Sequence, residues 1–216
     1  MQFDPQTDIL GLVDVQPTFM PGGELAVTDG DSIVPIVNRL LGRFDHAFAT
    51  QDWHPADHAS FASAHPGHRP YDTIKLPYGD QILWPDHAIA GTPTAAIHPA
   101  IQQTRIEVIV RKGFRRALDS YSAFFENDRQ TPTGLEAWLR QRGFTRLFLC
   151  GLATDFCVAW STEDAVRLGF SVTIIQDACR GIGLPTASGR TTLDDARDRL
   201  TALGADFIES RELHPI

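Results

Sequence analysis

Short runs of valine, isoleucine, leucine and phenylalanine recur along the chain, at residues 8–15 (DILGLVDV), 46–52 (HAFATQD), 106–112 (IEVIVRK), 146–151 (RLFLCG) and 171–177 (SVTIIQD). Such short, nearly continuous apolar runs predict buried strands. Between most of them apolar residues return at helical spacing: 31–44 (DSIVPIVNRLLGRF), 133–144 (TGLEAWLRQRGF) and 161–170 (STEDAVRLGF), two of which close on a glycine near the expected helix end. Residues 187–208 predict one more amphipathic helix and a short edge strand. Strands that alternate with helices predict an α/β fold of three layers, an open, mostly parallel sheet with helices on both faces.

One stretch breaks the rhythm. Residues 53–105 are rich in Pro, His, Gly and Asp and show little periodicity. A connection that long inside a compact unit is usually functional or disordered, and its bulky clusters around Trp53, Phe61 and Trp84 argue against disorder. The chain of 216 residues is expected to form a single domain, 1–216, with this segment as an insertion.

Composition narrows the function classes. A formal net charge of -8 offers no basic face for phosphates, so no nucleic-acid partner is expected. No apolar run approaches the ~18 residues of a membrane span, and the first residues lack a basic-then-apolar leader, so a cytoplasmic protein without a membrane partner is expected. Three unevenly spaced cysteines, Cys150, Cys157 and Cys179, suit free thiols in a reducing compartment. Composition leaves the choice between monomer and homo-oligomer open.

The polar residues at the strand ends carry the chemistry. Asp14 is near the end of the first strand, Asp52 ends the second, Lys112 ends the third and Cys157 follows the fourth. In an open parallel sheet the ligand crevice lies outside the carboxyl ends of the strands, so these four side chains are expected to face one pocket. Thr154 is expected to cap the following helix, with Cys157 in its first turn, where free N–H groups and the dipole stabilise a thiolate. Those N–H groups could also hold an oxyanion, while Asp14 moves the thiol proton and Lys112 favours the anion. The bland alternatives are a buried apolar cysteine, which is the expectation for Cys150 and Cys179, a strand-end carboxylate for Asp14 and a solvated terminus for Lys112. Asp52 and His54 at i, i+2 point to one side of an extended chain, and with His87 they could hold a divalent ion while leaving coordination positions open. Spacing alone does not rank His87 against His58, His65 and His68.

The segments DVQPTFMPGGELAV, TQDWHPADHASFAS, DQILWPDHAIAGT, VRKG and GLATDFCV, in this order, resemble the nicotinamidases (pyrazinamidases) of the isochorismatase-like cysteine hydrolases. The resemblance implies an isochorismatase-like hydrolase fold and the hydrolysis of nicotinamide, and of pyrazinamide, to the acid and ammonia in NAD salvage. It implies Asp14 as acid/base, Lys112 as electrostatic partner and Cys157 as nucleophile forming a thioester. Asp52, His54 and His87 are implied as ligands of a divalent metal, zinc before iron or manganese, that holds the pyridine nitrogen, with Ser60 reaching it through water. A cis Leu152–Ala153 bond, an oxyanion hole from the N–H groups of Ala153 and Cys157, and ring-pocket walls from Phe19, Trp84 and Tyr121 are implied as well. Pro17 and Thr18 depart from the usual DxQNDF pattern, and Ala88 stands where relatives often carry a cysteine. The rivals are a hydrolase of the same superfamily acting on another small amide or vinyl ether, and a non-catalytic binding or thiol redox protein.

Overall fold

The computed structural model describes residues 1–216. Its elements are β1 (Gln2–Phe3), β2 (Asp8–Val13), α1 (Val34–Leu41), β3 (Ala47–Asp52), β4 (Thr73–Leu76), β5 (Gly79–Ile82), β6 (Val108–Lys112), α2 (Leu135–Gln141), β7 (Arg146–Leu152), α3 (Ala159–Arg167), β8 (Ser171–Arg180), α4 (Thr192–Ala202), β9 (Asp206–Ile208) and β10 (His214–Pro215). Six of the strands form one sheet in the order β6-β3-β2-β7-β8-β9, and every neighbouring pair is parallel. Strand order reverses beside β2, which places a crevice at the carboxyl ends of β2 and β7.

The sheet is covered on both faces, as the continuous apolar runs require. Along β7 the alternation is visible: Phe148 and Cys150 join the cluster containing Val37 and Leu41 of α1 and Leu200 of α4, whereas Leu147 and Leu149 join the cluster containing Leu135 and Leu139 of α2. All six residues of β2 are buried, and so are all six of β3. The helix expected over 31–44 divides into a 3-10 turn, Gly30–Ile33, followed by α1, where Pro35 sits in the first turn and gives up no needed N–H. A Thr191–Asp194 capping box starts α4. No helix is long and apolar enough to cross a membrane.

The segment without periodicity is ordered by its own pairings. β4 and β5 make an antiparallel hairpin, and isolated bridges join His54 to Ile89 and Phe61 to Trp84. Through the first bridge His54 N–H donates to Ala88 O at 3.0 Å and Ala90 N–H to His54 O at 2.8 Å. The insertion therefore folds back on the end of β3 and brings two histidines, 33 positions apart in sequence, to the same crevice.

Candidate active site

Asp14, just beyond β2, is fully buried and adopts a left-handed backbone (φ 48°), which aspartate tolerates better than most residues. Thr50 on β3 fixes it twice: its hydroxyl donates to Asp14 Oδ1 at 2.6 Å and accepts from Asp14 N–H at 3.1 Å. Gln16 ties the same two strand ends together, accepting from Asp52 N–H at 2.8 Å and donating to Asp52 O at 2.9 Å.

Lys112 at the end of β6 is buried, not the solvated terminus of the bland alternative. Its Nζ lies 2.5 Å from Asp52 Oδ1, 2.8 Å from Asp14 Oδ2, 3.4 Å from Cys157 Sγ and 3.1 Å from Ser120 O. The Asp14 contact is a close ion pair without a directed hydrogen bond, which leaves Oδ2 able to accept a proton. Burial raises the Asp14 pKa to about 6, the strongest influence on it, although Lys112 pulls the other way. Burial also works against the charge on Lys112, but Asp14 and Asp52 hold its ammonium well above the ordinary value.

The setting of Cys157 corrects the expected cap. Residues Thr154–Val158 form a π-helical turn leading into α3, and the side chain of Thr154 makes no capping bond. Burial pushes the Cys157 thiol well above its usual pKa, and Lys112 only partly opposes it. Its activation therefore draws on the neighbouring carboxylate and ammonium rather than on a helix dipole alone. Cys150 and Cys179 are buried and free, as expected; burial raises the first well above its usual value and the second to about 12.

Asp52, His54 and His87 form a second group. His54 Nε2 and His87 Nε2 stand 3.7 and 3.8 Å from Asp52 Oδ2. His54 Nδ1 donates to Gly113 O at 2.9 Å and His87 Nδ1 to Pro85 O at 2.8 Å; a carbonyl can only accept, so both Nε2 atoms keep a free lone pair. Gly113 (φ 66°) makes the first bond feasible, since a Cβ there would lie 2.2 Å from His54 Cε1. Bonds of ~2.0–2.2 Å from each donor reach across gaps of this size, so the residues fit a divalent ion. Burial opposes ionisation of Asp52, yet the Lys112 ammonium holds its carboxyl well below the carboxylate range.

The competing histidines are ranked by their partners. His58 Nδ1 is bonded to Ser60 Oγ at 2.7 Å and its Nε2 approaches Leu118 O at 3.3 Å, so both ring nitrogens are engaged. His65 bonds Ala59 O, and His68 is exposed beside Asp72. The Pro17–Thr18 departure also finds a role. Pro17 opens a 3-10 turn, and Thr18 Oγ1 accepts from Ala88 N–H at 3.1 Å, bracing the residue after His87.

Of the four strand-end residues expected to face one pocket, Asp52 and Cys157 line it, together with Phe19, Leu25, His54, Trp84, His87, Asp119, Tyr121, Ala153, Phe156 and Ile182, whereas Asp14 and Lys112 are buried outside its lining. Phe19, Trp84 and Tyr121 are there as expected, with Trp84 Nε1–H donating to Tyr121 Oη at 2.9 Å. The Leu152–Ala153 peptide is cis. Leu25, Asp119, Phe156 and Ile182 were not anticipated. Phe156 adjoins Cys157 and could have been inferred from that; the other three lie in loops without a spacing signal.

Comparison with known proteins shows the family and the fold. An isochorismatase domain is recognised over residues 8–191. The chain is 48% identical over 202 residues to the nicotinamidase of Acinetobacter baylyi, covering 94% of this chain and 92% of that protein. The solved structure of the Acinetobacter baumanii nicotinamidase pyrazinamidase superposes with a TM-score of 0.92 at 47% identity, over 97% of this chain and 99% of that one. PnC1 of L. infantum, solved in complex with nicotinate, has a TM-score of 0.84 at 32% identity over 100% of this chain and 99% of that one. The pyrazinamidase of Pyrococcus horikoshii, solved in complex with zinc, has a TM-score of 0.74 at 29% identity over 94% of this chain and 99% of that one. The chain belongs to the isochorismatase-domain family, among relatives named nicotinamidase.

Proposed function

We propose that the protein hydrolyses nicotinamide to nicotinate and ammonia, accepts pyrazinamide, and works in the cytoplasm in NAD salvage as one hydrolase domain, 1–216, with residues 53–105 as its metal-site insertion. The observation that carries the reading is a buried thiol, carboxylate and ammonium in contact beside a pocket walled by aromatic side chains and a two-histidine, one-carboxylate donor set. Asp14 takes the proton of Cys157 as the sulfur attacks the carboxamide carbon. The N–H groups of Ala153 and Cys157 hold the oxyanion, and Lys112 keeps the added charge in place. Asp14 then passes its proton to the departing nitrogen, which leaves as ammonia, and a thioester remains. Water that gives a proton to Asp14 cleaves the thioester and restores the thiol.

Asp52, His54 and His87 would hold the ion, zinc in this reading, with iron or manganese as the other candidates. When bound it supplies an electrophilic anchor for the pyridine nitrogen. Phe19, Trp84 and Tyr121 enclose the ring from the sides. The test is ammonia release from nicotinamide by metal-loaded protein beside Cys157→Ala. Turnover lost in the variant supports the reading; a metal-bound wild type that releases none overturns it in favour of another small amide.

A further inference from the structure

Cys157 shares its π-helical turn with a second buried acid that the proposed chemistry does not use. Asp155 is 4% exposed, and its carboxylate is bonded to Ile182, Gly183 and Thr192 rather than to the catalytic group. Oδ1 accepts from Ile182 N–H at 3.0 Å, Oδ2 accepts from Gly183 N–H at 2.8 Å, and Thr192 Oγ1 also donates to Oδ2. One carboxylate thus grips the loop after β8 and the first turn of α4. Thr192 closes the circuit, accepting from Leu184 N–H at 2.9 Å while its own N–H donates to Leu184 O at 2.8 Å.

The gripped loop carries a pocket wall. Ile182 lines the same cavity as Cys157, Trp84 and His87, and it is partly buried against the main core. Glycines bracket it for separate reasons. A Cβ at Gly181 would lie 2.3 Å from Leu193 Cδ2 and 2.9 Å from Asp155 Oδ1, so a side chain there would press on the Asp155 carboxylate, and Gly183 has φ 70°. Between two residues without side chains, the backbone of Ile182 is held by its bond to Asp155 while its side chain packs on the core.

From this geometry we infer that Ile182 limits the size of the ring accepted by the site and that Asp155 is the positioning residue that holds it there. The inference rests on the nicotinamidase reading for its substrate class, aromatic carboxamides. It separates two jobs on one turn: Cys157 attacks, while Asp155, two residues earlier, fixes how closely the far wall approaches the ring. A methyl-sized change in an apolar wall discriminates substrates by about tenfold or more.

The test compares kcat/KM for nicotinamide with kcat/KM for a panel of nicotinamides methylated singly on the ring carbons, using metal-loaded wild type, Ile182→Ala, Ile182→Phe and Asp155→Asn. Ile182→Ala is expected to raise the ratio of the best methylated substrate to nicotinamide about tenfold, and Ile182→Phe to lower it. Asp155→Asn replaces one accepting oxygen with a donor, so the loop loosens; the ratio should move as in Ile182→Ala, with KM for nicotinamide rising more than kcat falls. Folding of each variant is followed by thermal melting and metal content. Ratios within twofold of wild type in both Ile182→Ala and Asp155→Asn, in folded and metal-loaded protein, would overturn the inference alone. Wild type that releases no ammonia from nicotinamide would overturn the nicotinamidase reading and this substrate class with it.

Discussion

Thr50 gives its hydroxyl proton to Asp14 Oδ1 at 2.6 Å, so one oxygen of the base is held while the other, Oδ2, faces the lysine and the thiol. A pH dependence follows. Asp14 must be ionised to accept the thiol proton, and burial puts its pKa at about 6. Activity is therefore expected to fall as the pH drops through about 6 and to hold above it. Thr50→Val removes a hydrogen bond that favours the ionised form, worth about 1.5–3 kcal/mol when the acceptor is charged. The acid limb of kcat/KM should move upward by about one to two units. An unmoved limb in a folded Thr50→Val protein would remove Asp14 from the role of base.

Lys112 offers a stability prediction. Its ammonium is buried between two carboxylates, 2.5 Å from Asp52 and 2.8 Å from Asp14. Lys112→Met strands both acids, and breaking a buried pair in this way costs about 3–5 kcal/mol. Chemical denaturation at neutral pH should show a loss of this size, together with loss of turnover. Lowering the pH protonates the stranded acids, so the deficit should shrink in acid; a deficit independent of pH would mean that packing, not charge, explains it.

Thr18 is expected to act on metal binding from outside the ligand set. Its hydroxyl accepts from Ala88 N–H at 3.1 Å, and Ala88 has a left-handed backbone (φ 45°) directly after His87. Thr18→Val keeps the shape and deletes the acceptor. Loss of such a supporting partner typically weakens metal affinity about 10–100-fold. Competition with a metal-chelating dye would read this out, and an affinity equal to wild type would make the Thr18 bond merely local.

How much of this was legible in the sequence depended on whether a residue is tied to a regular element. Asp14, Asp52 and Cys157 go with strands that are buried, while Lys112 ends β6, an edge strand that is half or fully exposed except at Lys112 itself, contrary to the buried strand expected there; the parallel-sheet pattern alone still brought all four to one edge. His54 is linked to Asp52 by strand alternation, but His87 reaches it through a bridge between His54 and Ile89 that no periodicity announces. The hairpin of β4 and β5 was missed because it is short and mostly half or fully exposed: Ile74 and Leu76 alternate with Thr73 and Lys75 over only four positions, and the one buried residue, Gln81, is polar. The surroundings of Cys157 were hidden for a similar reason: sequence places a cysteine at a turn but does not reveal its burial, which pushes the thiol up against the pull of Lys112.

Gly113 provides the sharpest separation of site from fold. It follows Lys112 immediately, has φ 66°, and passes its carbonyl to His54 Nδ1 at 2.9 Å. In Gly113→Ala the new Cβ would start 2.2 Å from His54 Cε1 and 2.5 Å from Nδ1, far inside contact distance. The residue sits in the left-handed region, so the backbone also resists the change, at about 1 kcal/mol or more. The imidazole is the movable partner, because β6 is anchored to β3 by its ladder from Val108 to Lys112. The variant is expected to fold with a modestly lower Tm, to lose at least tenfold in metal affinity, and to keep the Cys157–Lys112–Asp14 contacts. Far-ultraviolet circular dichroism and metal titration measure the two effects separately. If metal affinity survives in a folded Gly113→Ala protein, the Gly113–His54 bond does not orient the ligand, and the tautomer of His54 must be set by another group.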